Sequence, residues 1–566
     1  MRRKKDFGCW RRQQRRNPGN LVFFGVVGFF FLVNWWMVSR MQRESSARRK
    51  DQSVSLISKL PATLKQPFPE KQMHYLKIGR PRRVMYTRLL ALAAHALADG
   101  DSKPEPHDLW KETLVPSVTW KPCADLRSWE PSDGTNGYII ISANGGISQQ
   151  RVAICNAVSI ARLLNSTLVL PKFLYSNVWK DTSQFSDIYQ EEYFINYLKA
   201  DIKIVKELPV ELQSLDLEVM GSLFTDAEIM KEAKPSFYVK KVLPILLKNR
   251  VVHFTGFGNR LAFDPIPFDL QRLRCRCNFH ALRFVNKIQE TGALLVERMR
   301  RHKSRWSLLE HNLLNQTSKS NHNSKAIQPP KASRYLAIHL RFEIDMAAYS
   351  LCSFGGGEEE ERELEAYREV HFPALNAMRK NTKMPSADIL RSEGQCPLTP
   401  EEAVLMLAAL GFKRKTNMYV AGADIYGGKS RIAALKSLYP NLETKESLLS
   451  PSEIEPFRSF SSQLAALDFI ACTVADAFAM TDSGSQLSSL VAGYRIYYGD
   501  GRRPTIRPNK RRLVTIFAKN YTIEWKQFEA SVRKTVRQSK MVQERPKARS
   551  IYRHPRCSEC MCPADS

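Results

Sequence analysis

At 566 residues the chain exceeds one ordinary domain, so two folded units with flanking segments are expected. The formal net charge of +30 has the magnitude of a nucleic-acid binder, but residues 1–100 carry +16, residues 501–566 carry +12, and the stretch between keeps about +2. With no zinc-finger spacing and no aromatic RNA-binding signature beside that charge, nucleic acid is excluded as the main partner.

Residues 1–20 read as a short cytosolic tail. Residues 21–38, LVFFGVVGFFFLVNWWMV, hold no charge, which is near the minimum for one membrane-spanning helix and long for a core helix. Trp35 and Trp36 sit at one end, where aromatic rings favour the interface. Eight Arg/Lys precede the span against Asp6 alone, so the N-terminus is expected in the cytosol and the rest of the chain in the lumen. A cleaved signal peptide would end on small residues, and WWMVSRM does not.

Residues 39–132 are rich in proline and charge and read as a stem, with one helix over Met85 to Ala98. A first lobe follows over 133–330. Tyr138 to Ala143 (YIIISA) reads as a buried strand, NGGISQQR as a glycine loop, Gln149 to Leu164 as an apolar-periodic helix, and Thr167 to Pro171 and Val251 to Gly256 as further strands. Residues 315–333 are polar, lack an apolar period and read as a linker.

The second lobe, 331–525, opens on YLAIHLRFE (Tyr335 to Glu343). This is a short apolar run of a strand buried on both faces, and it delivers His339, Arg341, Glu343 and Asp345 at its carboxyl end. In open α/β sheets ligands bind at that end, and an arginine there can hold a phosphate by two parallel hydrogen bonds. Thr399 as N-cap, Pro400 at N1 and Glu402 at N3 start a helix that Gly411 ends. MYVAGADIYGG gives a strand and a glycine loop before a helix from about Ser430. A helix, a strand at Ala477 to Met480, a Ser/Gly loop and another helix follow. Residues 526–566 read as a basic tail. The fold class expected is α/β: two Rossmann-like lobes in a GT-B-like arrangement, after a transmembrane helix and a stem.

Of eleven cysteines, Cys9 is cytosolic in this topology, and the remaining ten suit disulfides in an oxidising lumen, with the pairing open. Cys557, Cys560 and Cys562 form CxxCxC with no second ligand pair nearby, so no metal site is assigned. Sequons stand at Asn165, Asn315 and Asn520. Glu358 to Glu361 cannot share one helix face and read as a solvated helix start.

Seven stretches in order, NGGISQQR, RCRCNFHALRF, AIHLRFEIDM, SFGGGEEEERELEAYRE, CPLTPEEAVLMLAALGF, MYVAGADIYGG and SGSQLSSLVAGYR, resemble the plant O-fucosyltransferase family over roughly residues 120–520. The resemblance implies an inverting glycosyltransferase with no cofactor beyond its nucleotide-sugar donor, GDP-fucose; no Asp-x-Asp motif follows a strand in the nucleotide-binding position, so the activity is expected to be metal-independent. It implies a glycan or protein acceptor, a type II Golgi setting and a place in cell-wall or glycan metabolism. The family's HLR signature falls on His339, Leu340 and Arg341. Ser148 and Gln150 depart from the usual NGGLNQMR, and Thr481 to Gln486 (TDSGSQ) departs from TYDGNM. The departures leave open transfer of rhamnose or another sugar to pectin, and a non-catalytic Golgi scaffold.

Breaking a sugar–diphosphate bond without a metal builds negative charge that guanidinium and N–H donors must meet. Arg341 is the candidate for that role; the alternative is an ion pair with Glu343, Asp345 or another carboxylate. His339 is a candidate ligand of phosphate or ribose, or a satisfied buried histidine. Asn144, Gly145 and Gly146 form a loop ahead of a helix N-terminus, suited either to a ligand or to a turn. Asp482, Ser483, Gly484 and Ser485 form a second nest of N–H donors or a simple helix cap. Glu343 is the candidate general base.

Overall fold

A computed structural model gives the fold. It describes residues 84–563 except 101, 107, 112–119, 176–179, 302–306, 315–332, 383, 483, 500–502 and 541. The apolar segment 21–38, the sequon at Asn315, Ser483 and most of the linker 315–333 lie outside the described residues. Among the described residues no helix is long and apolar enough to cross a membrane. By its contacts the chain divides into two units. One holds residues 73–367 and 385–566 and is described below; of the other, the described part is 368–382 and 384, which includes the helix Pro373–Asn381.

Among the described residues three sheets organise the larger unit. A short one pairs β1 (Trp120–Pro122) with β13 (Met561–Pro563), antiparallel. The next is parallel and is built on β2 (Tyr138–Ala143), β3 (Thr167–Val169), β4 (Lys172–Phe173), β5 (Ile204–Val205), β6 (Leu223–Phe224) and β7 (Val251–Phe257). Its order is β5-β3-β2-β7-β6, with β4 on the end of β2. The last is parallel too and comprises β8 (Tyr335–His339), β9 (Asn417–Ala421), β10 (Leu442–Glu443), β11 (Ala477–Met480) and β12 (Thr505–Ile506), in the order β10-β9-β8-β11-β12.

β8 shows why a continuous apolar run is needed. Its side chains alternate between two cores: Tyr335 and Ala337 join the core shared with the first sheet, and Leu336, Ile338 and Leu340 enter the second. Burying a Leu or Ile side chain contributes about 1.5–3 kcal/mol, so a polar residue at either parity is costly. The first core also joins the two sheets. Helix Asn286–Arg300 lies so close to helix Ser461–Val474 that a Cβ on Gly292 would stand 2.7 Å from Ile470.

The elements largely follow the sequence reading. Helix Pro400–Leu410 has Thr399 as N-cap, accepting from the Glu402 N–H at 3.2 Å, and ends at Gly411 with φ +99°. The helix expected over 85–98 spans Thr87–Gly100, and that after the first glycine loop spans Ile147–Leu163.

Three expectations need correction. The stem supplies structure: Leu89, Ala93 and Leu97 recur every fourth residue and bury in the second core against helix Pro400–Leu410. The basic tail is folded as well. Helix Trp525–Lys540 buries Phe528, Val532 and Val536 in the same core. The chain then returns as a strap. Arg545 makes two hydrogen bonds to Asp264, at 2.8 and 2.9 Å, and disulfides join Cys275 to Cys560 and Cys123 to Cys562. Cys352–Cys396 is the third disulfide, so two cysteines of the CxxCxC run serve cross-links and Cys557 remains a thiol. Finally, Glu360 is not solvated: it is buried and accepts from the Phe354 N–H at 2.9 Å and the Gly356 N–H at 2.5 Å, whereas Glu358, Glu359 and Glu361 are exposed.

The strap disulfides close very long loops, and losing one such cross-link typically costs about 2–4 kcal/mol. Cys562→Ser should therefore lower unfolding stability by that amount. Non-reducing peptide mapping of the parent protein should return the Cys123–Cys562, Cys275–Cys560 and Cys352–Cys396 pairs.

Candidate functional site

The second sheet places the site. From β8 the chain moves outward to β9 and β10, then returns across β8 to form β11 and β12. The strand order reverses between β8 and β11, and the loops leaving their carboxyl ends must part there, opening the crevice in which α/β sheets bind ligands. Arg341 leaves β8 and Thr481–Ser485 leaves β11 at this reversal. β11 runs in register with β8, Met480 opposite His339.

Thr481 closes the two strand ends together. It is fully buried; its Oγ1 donates to the His339 carbonyl at 2.9 Å and accepts from the Arg341 N–H at 3.1 Å. The Arg341 backbone is thereby fixed. The side chain is held from the other side by Glu343 Oε2 at 2.5 Å and Asp345 Oδ2 at 3.2 Å, and 17 % of it is exposed. Thus the ion pair considered from sequence is present, at a crevice rather than inside the core. Burial pushes the Glu343 carboxyl above the usual carboxylate range, against the pull of Arg341. That direction suits a proton acceptor, and Glu343 is at the same time the N-cap residue of the short helix Ile344–Tyr349.

β9 closes the far side. Gly422 follows it at φ +137°, and a Cβ there would stand 3.0 Å from the Leu340 carbonyl. Lys445 Nζ donates to the Gly422 carbonyl at 2.8 Å and to Asp468 at 3.0 Å, while the Tyr419 hydroxyl donates to Asp468 at 2.7 Å. This buried network anchors the Gly422 loop. Sequence reading missed both Thr481 and Lys445–Asp468. Thr481 opens the TDSGSQ stretch and directly follows a buried strand, a position that could have flagged it; Lys445 and Asp468 sit on helices and carry no local signal.

The other expected residues divide. His339 is buried, with Nδ1 2.8 Å from the Ser488 hydroxyl, and burial followed by the Arg341 charge pushes its pKa down to about 3. It is a neutral, positioned imidazole. The Leu340 side chain belongs to the second core, which leaves its backbone as the part at the strand end. The second nest is occupied in part. Asp482 accepts from the Gly484 N–H at 2.6 Å and from Lys510 Nζ at 2.9 Å, and Ser485 caps helix Gln486–Tyr498 by accepting from the Ser488 N–H at 3.3 Å. The Gly484 N–H is thus used within the loop, and Lys510, from helix Lys510–Phe517, brings a cation beside it.

Asn144, Gly145 and Gly146 leave β2 where the first sheet also reverses, between β2 and β7. Gly145 has φ +81°, which favours glycine. Gln149 turns back to accept from the Gly146 N–H at 2.8 Å, so one of the helix-terminal donors is already satisfied; the departing residue Gln150 donates to the Gly145 carbonyl at 3.1 Å. The Asn144 side chain has no hydrogen-bond partner among the described residues. The helices that follow the two loops meet through Arg151, which donates to the Tyr494 hydroxyl.

Two sequons fall among the described residues. The Asn165 side chain donates to Asp133 at 2.7 Å and to Thr135 at 3.3 Å, and Asn520 is 8 % exposed.

The model of the family described as GDP-fucose protein O-fucosyltransferase matches residues 138–498. O-fucosyltransferase 15 of Arabidopsis thaliana is 61 % identical, across 98 % of this chain and 88 % of that protein. O-fucosyltransferase 2 of the same plant is 57 % identical, across 100 % and 91 %. A crystal structure of POFUT1 in complex with GDP-fucose is 14 % identical and covers 65 % of this chain and 97 % of that one at a TM-score of 0.34, too low to carry a conclusion about this chain.

The buried Thr481 hydroxyl makes two hydrogen bonds, and leaving both partners unsatisfied costs about 1–3 kcal/mol. Thr481→Val should lose that much in a denaturant titration and Thr481→Ser far less. The histidines set an acid limit. His339 is held at about 3, and His253 and His280 at about 4, chiefly by burial. Each takes up its proton in the unfolded chain near pH 6.5 but stays neutral in the fold. Their contribution to stability is therefore full above about pH 6.5 and is lost as pH falls towards 4 and 3. Unfolding midpoints measured across that window should drop on the acid side, and less steeply in His253→Gln.

Proposed function

Because the chain belongs to the GDP-fucose protein O-fucosyltransferase family and is a glycosyltransferase, we propose that it transfers fucose from GDP-fucose to a hydroxyl of a glycan or protein acceptor, with Arg341 as the residue that meets the charge of the departing diphosphate. The observation that carries the reading is the place of Arg341: the end of the central strand, at the reversal of strand order, with its backbone fixed by Thr481.

The reaction breaks the bond between fucose C1 and the β-phosphate oxygen and forms one between C1 and the acceptor oxygen. Both electrons of the broken bond stay on GDP, so negative charge grows at that oxygen as the sugar leaves. Arg341 offers a planar fork that can make two contacts there. Glu343 and Asp345 hold that fork in place beforehand, and fixed donors cost no reorganisation as charge develops. Asn144, His339 and Lys510 are the further groups through which the two loops and the central strand would contact the donor. The acceptor proton goes to a base, and Glu343, shifted upward by burial, is the candidate. The transfer is taken as inverting and metal-independent, the role of a metal being filled by Arg341. In the cell the apolar segment 21–38 would anchor the enzyme in the Golgi membrane with its catalytic part in the lumen.

Loss of one well-placed charged donor costs about 3 kcal/mol, a hundredfold or more in rate. Arg341→Ala should lose at least that in GDP-fucose turnover in a protein that still folds, with a melting temperature lowered by the loss of the Glu343 and Asp345 ion pairs, and Arg341→Lys should restore stability more than turnover. A folded Arg341→Ala protein with normal turnover would contradict the assignment. Activity should also persist in EDTA; a requirement for added manganese would count against a metal-free site.

A further inference from the structure

The reaction above makes no use of the Lys445–Asp468 pair, although the pair lies at the carboxyl end of β9, beside β8. Lys445 opens the one-turn helix Lys445–Leu448 after β10, and Asp468 stands in helix Ser461–Val474. Each is 3 % exposed. Taking two charges out of water is costly, and apolar residues of similar volume are often as stable in such a place. Stability is therefore a weak reason for the pair, and what it grips is the better clue. Asp468 Oδ2 accepts from the Gly422 N–H at 3.2 Å, and Lys445 Nζ donates to the Gly422 carbonyl at 2.8 Å. The two charges meet at 3.0 Å, and the Tyr419 hydroxyl donates to the other carboxylate oxygen at 2.7 Å. Both backbone polar groups of a single glycine are thus held by the opposite charges of one ion pair. Gly422 has φ +137°, and glycine is the residue whose backbone is otherwise freest to leave such a conformation.

What Gly422 touches is the site. A Cβ there would stand 3.0 Å from the Leu340 carbonyl and 3.8 Å from Glu343 Oε1. The chain is fastened to the end of β8 on both sides of that point. The Leu340 N–H donates to the Ala421 carbonyl at 3.1 Å, and the Tyr426 N–H to the Phe342 carbonyl at 2.8 Å. Residues 421–426 therefore run beside 340–343 and wall the Glu343 carboxyl. Glu343 shows Oε1 to Gly422 and gives Oε2 to the Arg341 guanidinium, so it stands between the gripped glycine and the charged fork.

We propose that Lys445 and Asp468 are positioning residues for the transfer step: by gripping Gly422 they keep the wall against which the Glu343 carboxylate is set, and with it the aim of that carboxylate at the acceptor hydroxyl. The effect on turnover rests on the sugar-transfer reading; the grip on Gly422 does not.

The test replaces the whole network in the full-length protein, with Lys445→Met, Asp468→Leu and Tyr419→Phe combined. Removing one partner alone would leave a buried charge unpaired and destabilise the chain for that reason. Gly422 is half-buried, so water can serve its N–H and C=O once the pair is gone. The triple variant should melt near the parent. It should bind GDP within about twofold of the parent, because Thr481 still holds the Arg341 backbone. Its kcat for GDP-fucose should fall about tenfold to a hundredfold, the cost of a reacting group misplaced by about 1 Å. Amide exchange over residues 421–426 should be faster than in the parent. A folded triple variant with the parent kcat would overturn the proposal. So would a loss of GDP affinity as large as the loss of kcat, which would assign the pair to the donor. A melting temperature that falls together with kcat would return the pair to the fold alone. A parent protein that turns over no GDP-fucose would sink the fucosyl reading, and the exchange measurement then decides the grip: unchanged exchange over 421–426 would overturn it.

Discussion

The reversal of strand order at β8 is the constraint on which the site depends. A parallel sheet that grew in one direction only would carry its connections over the ends of its strands. Here the chain departs from β8 to one side and returns to the other, so the end of the central strand is left between diverging loops. Thr481 then joins the two strand ends with one hydroxyl, which serves the His339 carbonyl and the Arg341 amide. Such a bond is modest in stability, but it removes the freedom of the one backbone segment whose side chain must be aimed.

The electrostatics follow from that position. Arg341 keeps its charge because Glu343 and Asp345 lie beside it, and an incoming diphosphate must compete with both for the guanidinium. Burial disfavours the charged form of Glu343, which eases that competition and makes the carboxyl a better proton acceptor than an exposed one. His339 contributes no charge; buried against Ser488, it sets the shape of the strand end. At Asp482 the same pattern recurs in smaller form, a cation and a carboxylate already paired at the mouth of the crevice.

Much of this was legible in the chain. The run Leu336, Ile338, Leu340 followed at once by charges identified the strand and its functional end, because a strand between two helical layers has no polar face to show. Thr399, Glu402 and Gly411 marked their helix to the residue, because caps are local chemistry. What was not legible is long-range. The C-terminal residues look like a basic tail since their partners, Cys123, Cys275 and Asp264, stand hundreds of residues earlier. The N–H groups of the two loops looked available since their occupants, Gln149 and the Asp482 carboxylate, are revealed only by rotamers. Asn165 matched a sequon, yet its amide is spent on Asp133 and Thr135.

A structure with GDP bound tests the central claim most directly. The account predicts the diphosphate in the crevice between β8 and β11, with the Arg341 guanidinium bonded to its oxygens and the Arg341 amide still held by Thr481. GDP bound elsewhere on the protein, with Arg341 closed on Glu343 and Asp345 as before, would contradict it.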